Sequence, residues 1–133
     1  MRIMLDTNIL ISAVLFPRGK VAKALRKALV SPYQPMISDY VLDEFKRKFS
    51  EKFQDKKGEM EVFLSGFLAL VQVVDTPKTE AETETIIRDP KDRPILRAAL
   101  NAHADLFLTG DKDFLESQVK DPRIISVADF LNM

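Results

Sequence analysis

The chain has 133 residues, 46% hydrophobic and 30% charged, enough for one domain around a single core and too apolar for a disordered segment. Lys plus Arg and Asp plus Glu both number 20, so the overall charge gives no evidence for a nucleic-acid partner. Cysteine is absent, which excludes disulfides, thiolate nucleophiles and cysteine-bound zinc, and suits a reducing cytoplasm.

Arg2 to Leu5 reads as a short buried strand. Asn8 to Phe16 follows as a helix with Ile9, Leu10, Ala13 and Val14 on its apolar side, and Pro17-Arg18-Gly19 breaks it. Asp6, Asn8 and Ser12 interrupt the apolar stretch too early for an export signal, and no run has the length of a membrane span. Val21, Ala24, Leu25, Ala28 and Leu29 recur at helical spacing and predict a helix over Lys20 to Val30. Pro35 to Ser38 is a strand ending in an N-cap, and Asp39 to Phe49 is the helix that the cap starts. Lys57 to Leu70 is a further helix, and its apolar stretch from Val62 suits either the core or a subunit interface. Val71 to Val74 is a strand, and Thr76 to Glu84 a polar loop or an acidic turn of helix. Asp89 reads as an N-cap with Pro90 at the first position of a helix running to His103. Leu106 to Leu108 and Ile124-Ile125 are strands, and Ser126 to Leu131 is a closing helix.

Short apolar strands alternating with helices predict an α/β fold, a mainly parallel sheet of about five strands covered on both faces. Ligands bind such sheets at the carboxyl ends of the strands. Acids stand there in several places. Asp6 follows the first strand, and Asp111 follows Leu106 to Gly110. Glu44 lies in the helix after Ser38, at the edge of the apolar face set by Val41 and Phe45. Asp92 precedes Ile95 and Leu96 by three and four residues, which sets it at the top of a buried stripe. Each acid also has an ordinary structural reading: Asp6 and Asp111 can cap helices, Asp92 suits a helix dipole, and an acid such as Glu44 is common in the first turns of a helix. Their shared placement at strand ends, rather than any one of them, points to a site.

Two carboxylates ~5 Å apart repel by roughly 3 kcal/mol at an effective dielectric of ~20. Divalent cations relieve that repulsion, and all-oxygen ligands favour hard ions, Mg²⁺ or Mn²⁺ over Zn²⁺. Such a centre activates water for in-line displacement at phosphorus. His103, the only histidine, reads as a packing residue on its helix, which argues against a Ser-His-Asp triad. Lys46-Arg47-Lys48, with Lys52, Lys56 and Lys57, and a second group from Arg18 to Lys27, are candidates for contact with a phosphate backbone. Glu51, Asp55 and Glu59 interleave with the first group, so a solvated helix surface is the favoured reading for most of them. Phe45, Phe49 and Phe53 recur at helical spacing and read as core rather than as a base-stacking platform.

These residues resemble the PIN domain family. Asp6-Thr7-Asn8-Ile9-Leu10 is similar to its opening signature, Asp89 to Ala99 to its third-acid segment, and His103 to Leu115 to its last motif. The resemblance spans essentially the whole chain, residues 1–133 as one PIN-like domain, and is nearest to the VapC-like toxins of prokaryotic toxin–antitoxin pairs. It implies a three-layer α/β/α fold and a metal-dependent endoribonuclease, with an RNA substrate, a cognate antitoxin protein, a homodimer and a cytoplasmic location. By the same resemblance Asp6, Glu44, Asp92 and Asp111 are catalytic metal ligands for Mg²⁺ or Mn²⁺, and Asp113 is an accessory acid. Glu44 belongs to the loosest motif, in which Asp43 competes with it. Asn8 and Thr109 match residues that orient the carboxylates by hydrogen bonds. Arg93 departs from the pattern and is expected to pair with Asp92 or Asp111 or to contact a substrate phosphate. Hydrolysis would leave a 5′-phosphate and a 3′-hydroxyl without a covalent intermediate.

Other classes fit less well. A haloacid-dehalogenase-like phosphatase needs an acid two residues after Asp6, where Asn8 stands. A phospho-receiver domain needs an acidic pair and a late lysine that have no clear counterparts. A catalytically inactive PIN-fold module that binds RNA or protein is the alternative, and the presence of all four acids speaks against it.

Overall fold

A computed structural model describes all 133 residues. Five strands form one parallel sheet: β1 (Arg2–Leu5), β2 (Gln34–Ser38), β3 (Gln72–Val74), β4 (Leu106–Leu108) and β5 (Arg123–Ile125), in the order β3-β2-β1-β4-β5. Met4 of β1 stands level with Met36 of β2 on one side and Phe107 of β4 on the other. Ile3, Met4, Leu5, Phe107 and Leu108 have no exposed surface, as expected of central strands covered on both faces.

Seven helices complete the chain: α1 (Thr7–Leu15), α2 (Lys20–Ala28), α3 (Asp39–Lys52), α4 (Lys57–Phe67), α5 (Arg93–Asn101), α6 (Lys112–Leu115) and α7 (Val127–Leu131). Strands added to opposite sides of β1 are reached by crossovers on opposite faces of the sheet, because such crossovers are right-handed. The result is the expected three-layer α/β/α architecture. The order in which strands are added reverses between β1 and β4, and the carboxyl ends of those two strands border the crevice where such sheets bind ligands.

Buried apolar side chains from all layers make one continuous core. Phe45, Phe49, Phe53, Phe63 and Phe67 form a run of ring contacts between α3 and α4, with centroids 4.9–5.8 Å apart. This aromatic seam fixes the rotation of α3, and therefore the direction in which Glu44 is presented. In the 62–70 stretch, Leu64 and Phe67 are core, whereas Val62 and Leu70 are exposed.

Two expectations fail around α5. The helix spans Arg93–Asn101, not Asp89 to His103. Asp89 turns on itself instead, its Oδ1 accepting from the Lys91 amide at 3.0 Å and its carbonyl from the Asp92 amide at 3.0 Å. Pro94 has no N–H to give a preceding turn, so the helix begins where that donor would be free in any case. At the other end His103 is exposed, with φ 56° in the turn after the helix, and is not a packing residue. The segment from Thr76 to Glu84 enters a 3-10 turn, Glu82–Ile86, whose Glu84 is buried.

Candidate active site

Asp6 leaves β1 in extended conformation and caps α1, its Oδ1 accepting from the Thr7 amide at 2.8 Å. Its Oδ2 accepts from the Thr109 hydroxyl at 2.6 Å. The same hydroxyl oxygen accepts from the Asp111 amide at 3.0 Å. Thr109 has no exposed surface, so one buried hydroxyl ties the end of β1 to the loop after β4. Asp111 in turn caps α6, its Oδ1 accepting from the Asp113 amide at 2.8 Å. Capping and membership of the site therefore coexist. A carboxylate has about four acceptor positions, and each cap uses one.

Asp92 occupies the N-cap position of α5, yet its side chain makes no capping bond. Its carboxylate is left for the crevice. The turn that carries it is held from α3, where the Tyr40 hydroxyl donates to the Lys91 carbonyl at 2.8 Å. Glu44 lies on the same helix, with 12% of its side chain exposed. Asp43 faces solvent, so the structure brings Glu44, and not its competitor, to the crevice.

Asp6, Glu44, Asp92 and Asp111 all line one cavity of about 250 Å³, with Asn8, Arg47, Lys48, Asp89 and Lys91. No apolar side chain contributes to its wall. Burial pushes the Asp6 carboxyl up to about 6; the Thr109 and Thr7 hydrogen bonds oppose the rise, and Asp111 and Glu44 add to it by repulsion. Asp92 is pushed up to about 7, by burial first and then by the charges of Asp111, Asp6 and Asp89. Carboxyls so resistant to ionising together form a donor set that suits a hard divalent cation.

The acids extend beyond the four. One carboxylate oxygen from each of Asp89, Asp92 and Asp113 lies within 4.8 Å of the others, so Asp92 belongs to both groupings. Asp113 is engaged by Arg88 at 2.9 Å, and Arg88 also reaches Glu116 at 3.4 Å.

Two orienting or contacting roles take other forms. Asn8 is exposed in the cavity wall and hydrogen-bonds to no carboxylate; as the second residue of α1 its side chain stands at the helix entrance. Arg93 pairs with neither Asp92 nor Asp111. Its Nε donates to the Ile87 carbonyl at 3.0 Å, which ties the helix to the preceding loop. Asp89 and Lys91 also line the cavity without having been expected there, and Arg47 and Lys48, candidates for contact with a substrate within a group favoured as mostly solvated surface, line it too. Their spacing from Glu44, three and four residues along α3, was the available signal.

A family model described as PIN domain matches residues 2–113. No curated protein sequence matches the chain. Among solved structures it is similar to VapBC from Salmonella typhimurium bound to DNA, at 20% identity and TM-score 0.69, over 96% of this chain and 98% of the other. FitAcB from Neisseria gonorrhoeae is similar at 20% identity and TM-score 0.69, over 95% and 98%. VapBC2 from Rickettsia felis, bound to a DNA fragment from its promoter, is similar at 19% identity and TM-score 0.67, over 95% and 98%.

Proposed function

The chain belongs to the PIN domain family, and on that premise we propose that it is a metal-dependent endoribonuclease, the toxin of a type II toxin–antitoxin pair. The observation that carries this reading is the convergence of Asp6, Glu44, Asp92 and Asp111 from four separate elements on one polar cavity. Asp6, Glu44, Asp92 and Asp111 would hold Mg²⁺ or Mn²⁺, with Asp113 as an accessory acid that Arg88 keeps in place. When bound, the cation supplies positive charge to phosphodiester oxygens and lowers the pKa of a water.

The chain's own residues set the frame for that chemistry. Thr109 holds Asp6 Oδ2 and the Asp111 amide, so two ligands from different strands move as one unit. Tyr40 holds the turn that presents Asp92. His103 lies outside the cavity wall, and no histidine or cysteine lines it, so direct hydrolysis to a 5′-phosphate and a 3′-hydroxyl fits the residues present. No helix is long and apolar enough to cross a membrane. The reading places the 133 residues as one PIN-like domain in the cytoplasm, homodimeric, with an antitoxin partner. Support for that partner comes from the similar VapBC and FitAcB folds.

The test is cleavage of labelled single-stranded RNA with Mn²⁺ or Mg²⁺, by the parent protein and by Asp6→Asn. Metal-dependent cutting that stops in the variant and on chelation supports the proposal. Metal binding without cutting by the parent, on structured RNAs as well, favours a module that only binds.

A further inference from the structure

The net charge of zero conceals a local arrangement around the cavity. Three cations line it with the acids: Arg47 and Lys48 from α3, and Lys91 from the turn between Asp89 and Asp92. Lys46, next to them in sequence, is exposed and does not line the cavity. Glu44, Arg47 and Lys48 are spaced i, i+3, i+4, so a single helix face offers an acid and two cations together. The base of Lys91 is fixed at both ends, its amide on Asp89 and its carbonyl on Tyr40.

These cations are uncommitted. Lys48 and Lys91 have no carboxylate oxygen within 4.0 Å, and Arg47 approaches only Glu44, at 3.9 Å, beyond hydrogen-bond reach. Arg97 shows what a committed cation looks like in this fold: it makes two 2.8 Å bonds to Glu84 and a third, of 2.9 Å, to the Pro77 carbonyl. Cations that only balanced the acids would be expected to close on them in the same way. A ligand that needs separate acidic and basic ground in one cavity is an anionic strand longer than the group being cut.

We propose that Arg47, Lys48 and Lys91 form a phosphate-binding wall that seats the RNA backbone beside the scissile linkage. The inference rests on the nuclease reading and names the residues that hold the substrate. Single-stranded RNA loses affinity with salt at a log–log slope of about 0.7 per phosphate contact. Extrapolated from 1 M, one such contact is worth about fourfold in affinity at 0.15 M salt.

The test is fluorescence anisotropy of a labelled 12-nucleotide RNA in the Asp6→Asn background, with Mn²⁺, across a salt series. Arg47→Ala, Lys48→Ala and Lys91→Ala should each weaken binding about fourfold at 0.15 M salt and lower the slope by about 0.7. Lys46→Ala, the same charge lost outside the cavity, should change neither. In the parent background the three wall variants should raise KM and leave kcat within about twofold. Equal losses from Lys46→Ala and the wall variants would overturn the proposal in favour of diffuse attraction. Unchanged binding in all three wall variants would overturn it in favour of internal charge balance. If the parent cuts no RNA while binding still depends on the wall cations, the catalytic reading falls and this one stands.

Discussion

Asp6→Asn should stabilise the metal-free protein at neutral and alkaline pH, although it removes a carboxylate from the wall of the acidic cavity. Asp6 is 3% exposed, and its carboxyl is raised from the ordinary 3.8 to about 6. The unfolded chain titrates this group near 3.8, so between the two values the native state holds more protons than the unfolded state. Its contribution is therefore fully present below about pH 4 and is lost as pH rises through about 6. The full shift corresponds to about 3 kcal/mol. Asparagine escapes that penalty but weakens the charge-assisted bond from Thr109, a loss of about 1 kcal/mol. The net expectation in chelator at pH 8 is a gain of about 2 kcal/mol, a melting temperature higher by about 6–10 °C. At pH 4 the gain should vanish. With Mn²⁺ at a hundred times its dissociation constant the parent gains about 2.7 kcal/mol and the order reverses. Thermal melts of both proteins from pH 4 to 8, with chelator and with Mn²⁺, check this. A variant less stable than the parent in chelator at pH 8 would refute the electrostatic reasoning.

Glu44→Gln should abolish metal-dependent cleavage while Asp43→Asn leaves it within about twofold, because only Glu44 faces the cavity; turnover assays on the two decide it. Thr109→Val should weaken Mn²⁺ binding by about tenfold or more through loss of the bonds to Asp6 and Asp111, with Thr109→Ser restoring it, as read by calorimetry. Arg97→Met should destabilise the fold by about 3 kcal/mol in urea denaturation, since it strands the buried Glu84 carboxylate, and adding Glu84→Gln should recover part of the loss. The Arg97 hydrogen bonds hold the Glu84 carboxyl below its usual range, so this stabilisation is present above about pH 4.5 and lost on acidification, opposite in sign to Asp6.

The central strands were legible because they are short runs of residues buried on both faces, and Ile3-Met4-Leu5 and Leu106-Phe107-Leu108 leave little choice of period. Their ends located Asp6 and Asp111, Thr109 came only from the family resemblance, and the Phe45-Phe49 spacing showed which face of α3 turns inward. Long-range polar pairing was not legible. Glu84 and Arg97 meet across 13 residues only because a 3-10 turn packs on α5, and nothing local to either residue distinguishes them from solvated charges. The start of α5 was misread for a local reason: Asp89-Pro90 has the composition of a helix entrance, and only the missing N–H of Pro94 moves the helix onward. Extending that helix to His103 then placed a residue in the core that the chain turns out to solvent. Lys91 was hidden, and Lys48 could not be told from its neighbour Lys46, because cavity-facing and solvated lysines have the same sequence signature.

The most direct test of the central claim is a crystal structure with Mn²⁺, read by anomalous scattering at the manganese edge. The account predicts a peak in the cavity with oxygens of Asp6 and Asp92 in its coordination shell and Asp111 or Glu44 beside it. A peak confined to the Asp89, Asp92 and Asp113 group, or none with the acids open to the solution, would contradict it.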